Sequence, residues 1–164
     1  MNAKAADPAP TPPPGVSVRP VDVDQARPLR LKFLRPGVGE SGVTYKTDDE
    51  TSAEHLGAWR DDELLGVLSF HLENRVAGVG PYGHPGLRAR GLALDEAAEH
   101  ARALAALLLD AALEGAKRLG AAELWANVRL RQIPLFEASS LVAVSSEFDI
   151  PGLGAHRVLA RPLA

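Results

Sequence analysis

Residues 90–112 read RGLALDEAAEHARALAALLLDAA. The apolar run Leu92-Ala93-Leu94 reads as the end of a strand, and Asp95-Glu96 opens an acidic turn. A long alanine- and leucine-rich segment follows. In it Leu104, Leu107, Leu108, Ala111, Gly115 and Leu119 recur at helical spacing, and Gly120 supplies the stop. The pattern predicts a helix over 100–119. Strand–turn–helix order places consecutive backbone N–H groups at a helix start, where aligned peptide dipoles receive anions.

Outward from this segment, strands alternate with helices. Upstream, 16–20 alternates as a strand, and a helix is expected over 24–34, with Asp24 as its N-cap and Pro28 in its early turns. Residues 54–59 and 64–72 read as strands joined by the turn Arg60-Asp61-Asp62-Glu63, and 87–94 as a further strand. Downstream come a strand at 123–128, a short helix at 132–138, a strand at 141–145, a turn region at 148–154 and a last strand at 156–160. The order βαβββαβαββ defines an α/β or α+β domain: a mixed, mostly antiparallel sheet of six to seven strands flanked by helices. Residues 1–15 form a Pro/Ala-rich tail expected to be disordered, leaving 16–164 as the folded domain. Residues 36–51 and 71–87 carry little pattern and read as long loops.

Composition narrows the class. The chain has 164 residues, a net charge of −3, 46% hydrophobic and 24% charged residues, as an ordinary globular domain does. Charges are not blocked, so neither a nucleic acid nor a membrane surface is expected as partner. With no cysteine, disulfides, zinc–thiolate sites and thiol nucleophiles are excluded. His71 and His84 have no metal-ligand spacing, and no metal is expected. No apolar stretch approaches the ~18 residues of a membrane span, and no signal-peptide pattern opens the chain. A cytoplasmic enzyme or binding module is the expectation.

The motif order resembles the GCN5-related N-acetyltransferases, over nearly all of 16–164. Leu29-Arg30 with Leu34-Arg35-Pro36-Gly37 looks like the LRxxxLRPG helix ending of one bacterial branch. Glu54-His55-Leu56-Gly57-Ala58 and Leu65-Gly66-Val67 are similar to its second and third strands. Residues 90–95 look like its RGMAVDP, and 147–156, EFDIPGLGAH, like its EFDIPGIGPH loop. The resemblance implies that the fourth and fifth strands splay apart and that acetyl-CoA, as acyl donor, lies between them. The backbone of Leu92 and Leu94 would pair with the pantetheine arm, and Asn127 would contact it.

The pyrophosphate would rest on the family's RGxGxG positions, which fall on His100, Ala101, Arg102, Ala103, Leu104 and Ala105, with one extra residue in the turn 96–99. Alanine amides donate as glycine amides do. A Cβ at Ala101 or Ala103 is expected to crowd the phosphates, so Ala103→Gly should tighten binding. A positive φ there would add about 1–2 kcal/mol of strain. His100 replaces the family's arginine, Glu99 is unfavourable to an anion, and Arg102 offers a cation.

Acetyl transfer to an amine needs a deprotonated nucleophile, a donor for the carbonyl oxygen and a proton for the thiolate. The family's tyrosine acid falls on Phe136, which has no hydroxyl and reads as a packing residue. Candidate bases are Glu54 or His55, adjacent on one strand so that only one can face the cleft, and His156, with Asp149 on the loop before it. Trp125 reads as a core anchor. The acceptor would be an amine of a small molecule or peptide, and a homodimer through the C-terminal strands fits the family. A degenerate domain that binds acyl-CoA or a partner without efficient catalysis is the alternative, on the evidence of Ala101, Ala103, Phe136 and Ser139-Ser140. A structural α/β domain without an acyl-CoA site is the third reading.

Overall fold

A computed structural model describes residues 11, 13–75 and 85–163. Most of the expected N-terminal tail, His84 and the middle of the 71–87 loop lie outside the described residues. Strand β1 (Val16–Pro20) leads into helix α1 (Val23–Phe33). Its N-cap is Asp22 rather than Asp24: Gln25 Oε1 accepts from the Asp22 N–H at 3.0 Å, so the cap falls two residues earlier. Asp24 sits in the first turn and pairs with Arg27 at 2.8 Å.

Two short 3₁₀ turns, Glu40–Val43 and Lys46–Asp49, order the segment expected to be loop. The hairpin β2 (Glu54–Arg60) and β3 (Glu63–Leu72) turns at Asp61, whose φ is 53°. Then come β4 (Gly86–Leu94), α2 (Ala101–Arg118), β5 (Glu123–Arg129), a 3₁₀ turn (Leu130–Gln132) and α3 (Ile133–Glu137). Strands β6 (Val142–Ala143), β7 (Phe148–Ile150) and β8 (Gly154–Pro162) complete the sheet.

The sheet has eight strands in the order β1-β2-β3-β4-β5-β8-β6, with β7 also on β8. All described pairings are antiparallel except β4 with β5. Strand β7 falls where only a turn was expected, and brings the count one above the expected range. It is three residues long and pairs with the start of β8 through a tight turn.

The helices cover opposite faces. Helix α2 lies on the main core, with Leu68, Phe70, Leu87, Leu124 and Leu159 beneath it. Its buried stripe runs through Leu104, Ala105, Leu108, Leu109, Ala112 and Ala116, while Leu107 and Ala111 sit half-buried at its edge. Gly115 is the closest approach: a Cβ there would stand 2.6 Å from Phe70 Cζ, so the ring fits only because glycine has none. Helix α1 packs Ala26, Leu29 and Phe33 against Val67 and Ala93 on the other face.

Candidate active site

Strand β4 changes phase at Gly91. Leu87 and Ala89 enter the core under α2, and alternation would send Gly91 there too. Instead Ser69 pairs with Arg90 and Val67 with Ala93, so one extra residue bulges at Gly91, with φ 66°. The bulge returns Leu92 and Leu94 to the core, and leaves Arg88, Arg90 and Ala93 on the α1 face. A bulge strengthens local twist. On its other edge β4 has parted from β5 before the bulge: that pairing ends at Arg88↔Trp125. From Ala126 onward β5 is held by β8 alone.

The two strands therefore open into a gap, spanned by Gln132. This buried side chain donates from Nε2 to the Leu92 carbonyl at 3.0 Å. A cavity of about 360 Å³ fills the space between the strands, the segment after α1 and the β7–β8 turn.

A buried cluster fixes one wall. Arg30 on α1 is fully buried and donates from Nη1 and Nη2 to both Asp48 oxygens, at 2.9 and 3.0 Å. It also reaches the Val43 carbonyl at 2.9 Å and Ser69 Oγ at 2.8 Å. Burial alone would raise the Asp48 carboxyl. The Arg30 hydrogen bonds, the Tyr45 amide and the Arg30 charge outweigh it and hold the carboxyl below its ordinary value. Arg30 and Arg90 each lie over the Tyr45 ring, 4.1 and 4.2 Å from its centroid, which two guanidiniums can do only from opposite faces. The segment 34–53 is thus clamped onto the sheet beside Gly91, where a Cβ would meet Arg30 Nε at 3.0 Å.

His156, at the start of β8, lines the cavity. Its Nδ1 sits 2.8 Å from the Gly154 carbonyl, which can only accept, so Nδ1 carries a proton and in the neutral ring the lone pair falls on Nε2. The Phe148 ring stacks beside it, centroids 6.2 Å apart. Asn127 and Leu92 also line the cavity, and among the described residues the Asn127 side chain makes no hydrogen bond.

The other expected bases lie elsewhere. Glu54 forms a two-oxygen ion pair with Arg118, at 2.9 and 2.8 Å, at the far end of α2. His55 uses both nitrogens within the Arg30 cluster, 2.6 Å from Ser69 Oγ and 3.2 Å from the Asp48 carbonyl. Neither lines the cavity. Asp149 is exposed on β7. Leu94 is buried opposite Gly66 on β3 and does not reach the cavity. Phe136 and Trp125 are buried, Trp125 donating to the Glu73 carbonyl at 2.7 Å.

The start of α2 corrects the crowding expected at its alanines. Ala101, Ala103, Leu104 and Ala105 are helical and buried, so the methyls at 101 and 103 pack into the protein and not out at the helix end. Positive φ among described non-glycine residues occurs only at Asp61 and Ser140, so the feared strain at these alanines is absent. The turn is built by Asp95, whose Oδ1 and carbonyl accept from Ala97 and Ala98 at 3.1 Å. Ala101 N–H is spent on the Ala98 carbonyl and Leu104 N–H on the His100 carbonyl, leaving the Arg102 and Ala103 amides for an anion. His100 is the exposed N-cap and the Arg102 side chain is exposed. Glu96 is drawn away to Arg131 at 3.1 Å.

Arg90, Arg129, Tyr45 and Gln132 were missed by reasoning from sequence. The alternation Arg88-Ala89-Arg90 in an otherwise apolar strand was the available signal for the first. Arg129 and Gln132 carried none, because only the sheet order brings them to β4.

No protein-family profile matches the chain. An uncharacterised N-acetyltransferase of Bacillus subtilis (strain 168), YitI, is 26% identical over 150 residues, spanning 90% of this chain and 97% of the relative. The structure of FeeM, an N-acyl amino acid synthase from uncultured soil microbes, superposes with a TM-score of 0.71 at 15% identity, over 90% of this chain and 89% of that one. Arabidopsis thaliana NAA60 in complex with acetyl-CoA gives 0.68 at 12% identity, over 90% and 98%. The fold is that of the GCN5-related N-acetyltransferases. Among the described residues this acetyltransferase fold holds no group of three potential metal ligands. It also has no helix long and apolar enough to cross a membrane.

Proposed function

We propose that the protein transfers an acetyl group from acetyl-CoA to an amine of a small molecule or peptide, in the gap between β4 and β5. The observation that carries this reading is the gap itself: two strands that part after three paired residues, beside a helix start with two free amides. Acetyl-CoA, when bound, supplies an acetyl thioester. The Arg102 and Ala103 amides receive its pyrophosphate, the edge of β4 at Leu92, whose carbonyl accepts from Gln132, lines its extended arm, and Asn127 offers a side-chain amide.

In the transfer a C–N bond forms at the acetyl carbon, the C–S bond breaks and the electron pair leaves on sulfur. His156 Nε2 takes the proton from the amine, and the thiolate collects one from water, because Phe136 has none to give. Positioning the two reactants in one enclosed gap supplies much of the rate.

The competing reading, an acyl-CoA-binding module without catalysis, loses the support of Ala101 and Ala103 and keeps that of Phe136. Free thiol release from acetyl-CoA, measured against a panel of amines, separates the two. Amine-dependent release is expected; acetyl-CoA binding with no acceleration by any amine would establish the module instead.

The same reading takes residues 16–164 as one domain. It extends to a homodimer through the short edge strand β6, where Val142 is 55% exposed and Val144, just after the strand, 43%. Sedimentation of the wild type and of Val142→Lys tests this: a dimer that the lysine disperses is expected, a wild-type monomer would contradict it.

A further inference from the structure

The cavity is lined by four arginines, at 35, 88, 90 and 129, and by no aspartate or glutamate. Only Arg88 has a carboxylate partner, Glu73 at 2.8 Å. Arg90 is held by Thr47 Oγ1 at 3.2 Å and by the Tyr45 ring. Arg129 donates from Nη1 to the Leu34 carbonyl at 2.7 Å. Each is anchored at a single donor, and neither has an ion-pair partner among the described residues. Of the residues outside that set, only Asp7 and the chain terminus carry a carboxylate.

Two partly buried cations facing one cavity from opposite strands, without a counter-ion, are costly unless an anion enters between them. Burial, and next the neighbouring Arg88, lowers the proton affinity of Arg90; burial and then Arg131 do the same for Arg129. Both stay charged at neutral pH, so the charge needing compensation is permanent.

We propose that the acceptor amine also carries a carboxylate, bound between Arg90 on β4 and Arg129 at the end of β5. The inference rests on the acetyl-transfer reading, since it places the acceptor in the same gap. The guanidinium fork matches a carboxylate, and the donors not used by Thr47 and Leu34 remain for it. The anion could instead be a phosphate of the acyl donor. The helix start that suits those phosphates contributes no residue to this cavity, which favours the acceptor. His156 lines the same space, so a carboxylate held by the arginines leaves the adjoining amine within the enclosure of the base.

Calorimetric titration of N-acetylated α-amino acids, the products such acceptors would give, against the matching carboxamides tests the proposal without requiring turnover. The wild type should bind the carboxylates roughly tenfold to a hundredfold more tightly, as expected of charge-assisted hydrogen bonds. Arg129→Gln and Arg90→Gln should each remove most of that preference, with acetyl-CoA affinity kept and the fold confirmed by circular dichroism. Arg129, outside the Tyr45 stack, keeps the test sound should Arg90→Gln fail to fold. Equal affinity for acid and amide, no binding of either, or a preference untouched in Arg129→Gln would overturn the proposal. A fall in acetyl-CoA affinity alone would assign the arginines to the donor's phosphates. Failure of acetyl-CoA to bind at all is a separate result and counts against the acetyl-transfer reading.

Discussion

Gln132 Nε2 donates to the Leu92 carbonyl at 3.0 Å, tying the turn after β5 to the free edge of β4. The bond spans the gap where the strands no longer pair, so it sets the width of the opening. Gln132→Ala leaves a buried carbonyl without a donor, at about 1–3 kcal/mol. Urea denaturation should show a loss of that size; unchanged stability would mean that water replaces the bond and the side chain does not brace the gap.

The Arg30–Asp48 pair clamps segment 34–53 beside the cavity. Asp48→Ala strands a fully buried guanidinium, an effect of about 3–5 kcal/mol. Its pH dependence has a definite sign. The folded carboxyl lies below the unfolded value of 3.8, so its contribution is complete above that value and is lost as pH falls through the lower folded one. Acid denaturation of the wild type below about pH 4 should therefore be steeper than that of Asp48→Asn. Parallel acid curves for the two would contradict the pairing.

The long helix, its capping glycine and the strands around it were legible because burial on one face writes a period into the sequence. The run 87–94 was legible as a strand, but not as a bulged one: Leu-Arg-Ala-Arg-Gly-Leu-Ala-Leu alternates well enough to conceal the extra residue. Pairing with Ser69 and Val67 is what reveals it. Adjacent Glu54 and His55 looked like cleft residues because the strand was recognised and its partners were not: Arg118 and Ser69 claim them from distant parts of the chain. The alanines at the helix start were misjudged for a similar reason. Whether a Cβ meets ligand or core depends on which way the first turn faces the sheet, and that is a tertiary fact.

Ala103→Gly follows from that correction. With the methyl buried and the residue helical, glycine adds backbone freedom and removes packing. Stability should fall by about 0.5–1 kcal/mol with acetyl-CoA affinity unchanged. Tighter binding of the donor in this variant would restore the crowding account.

Ser140 holds φ 65° in the turn after α3, a left-handed conformation that favours glycine. A left-handed serine stores strain of about 1–2 kcal/mol, part of which glycine recovers against its greater freedom when unfolded. Ser140→Gly should raise thermal stability by about 0.5–1 kcal/mol. A lower melting temperature would show that the serine hydroxyl contributes more than its backbone costs.

His156→Asn removes the proposed proton acceptor and leaves the strand start small and polar. The turnover rate should fall roughly a hundredfold or more, with acetyl-CoA affinity little changed. Turnover within a few-fold of wild type would exclude His156 as the base.

Titration of the isotope-labelled protein with acetyl-CoA, followed by amide NMR, bears most directly on the gap as the donor site. The account predicts saturable shifts at the backbone amides of Arg102 and Ala103 and at the side-chain amides of Asn127 and Gln132, with distant strands such as β1 unmoved. No shifts at millimolar ligand, or shifts confined to residues away from the β4–β5 opening, would contradict it.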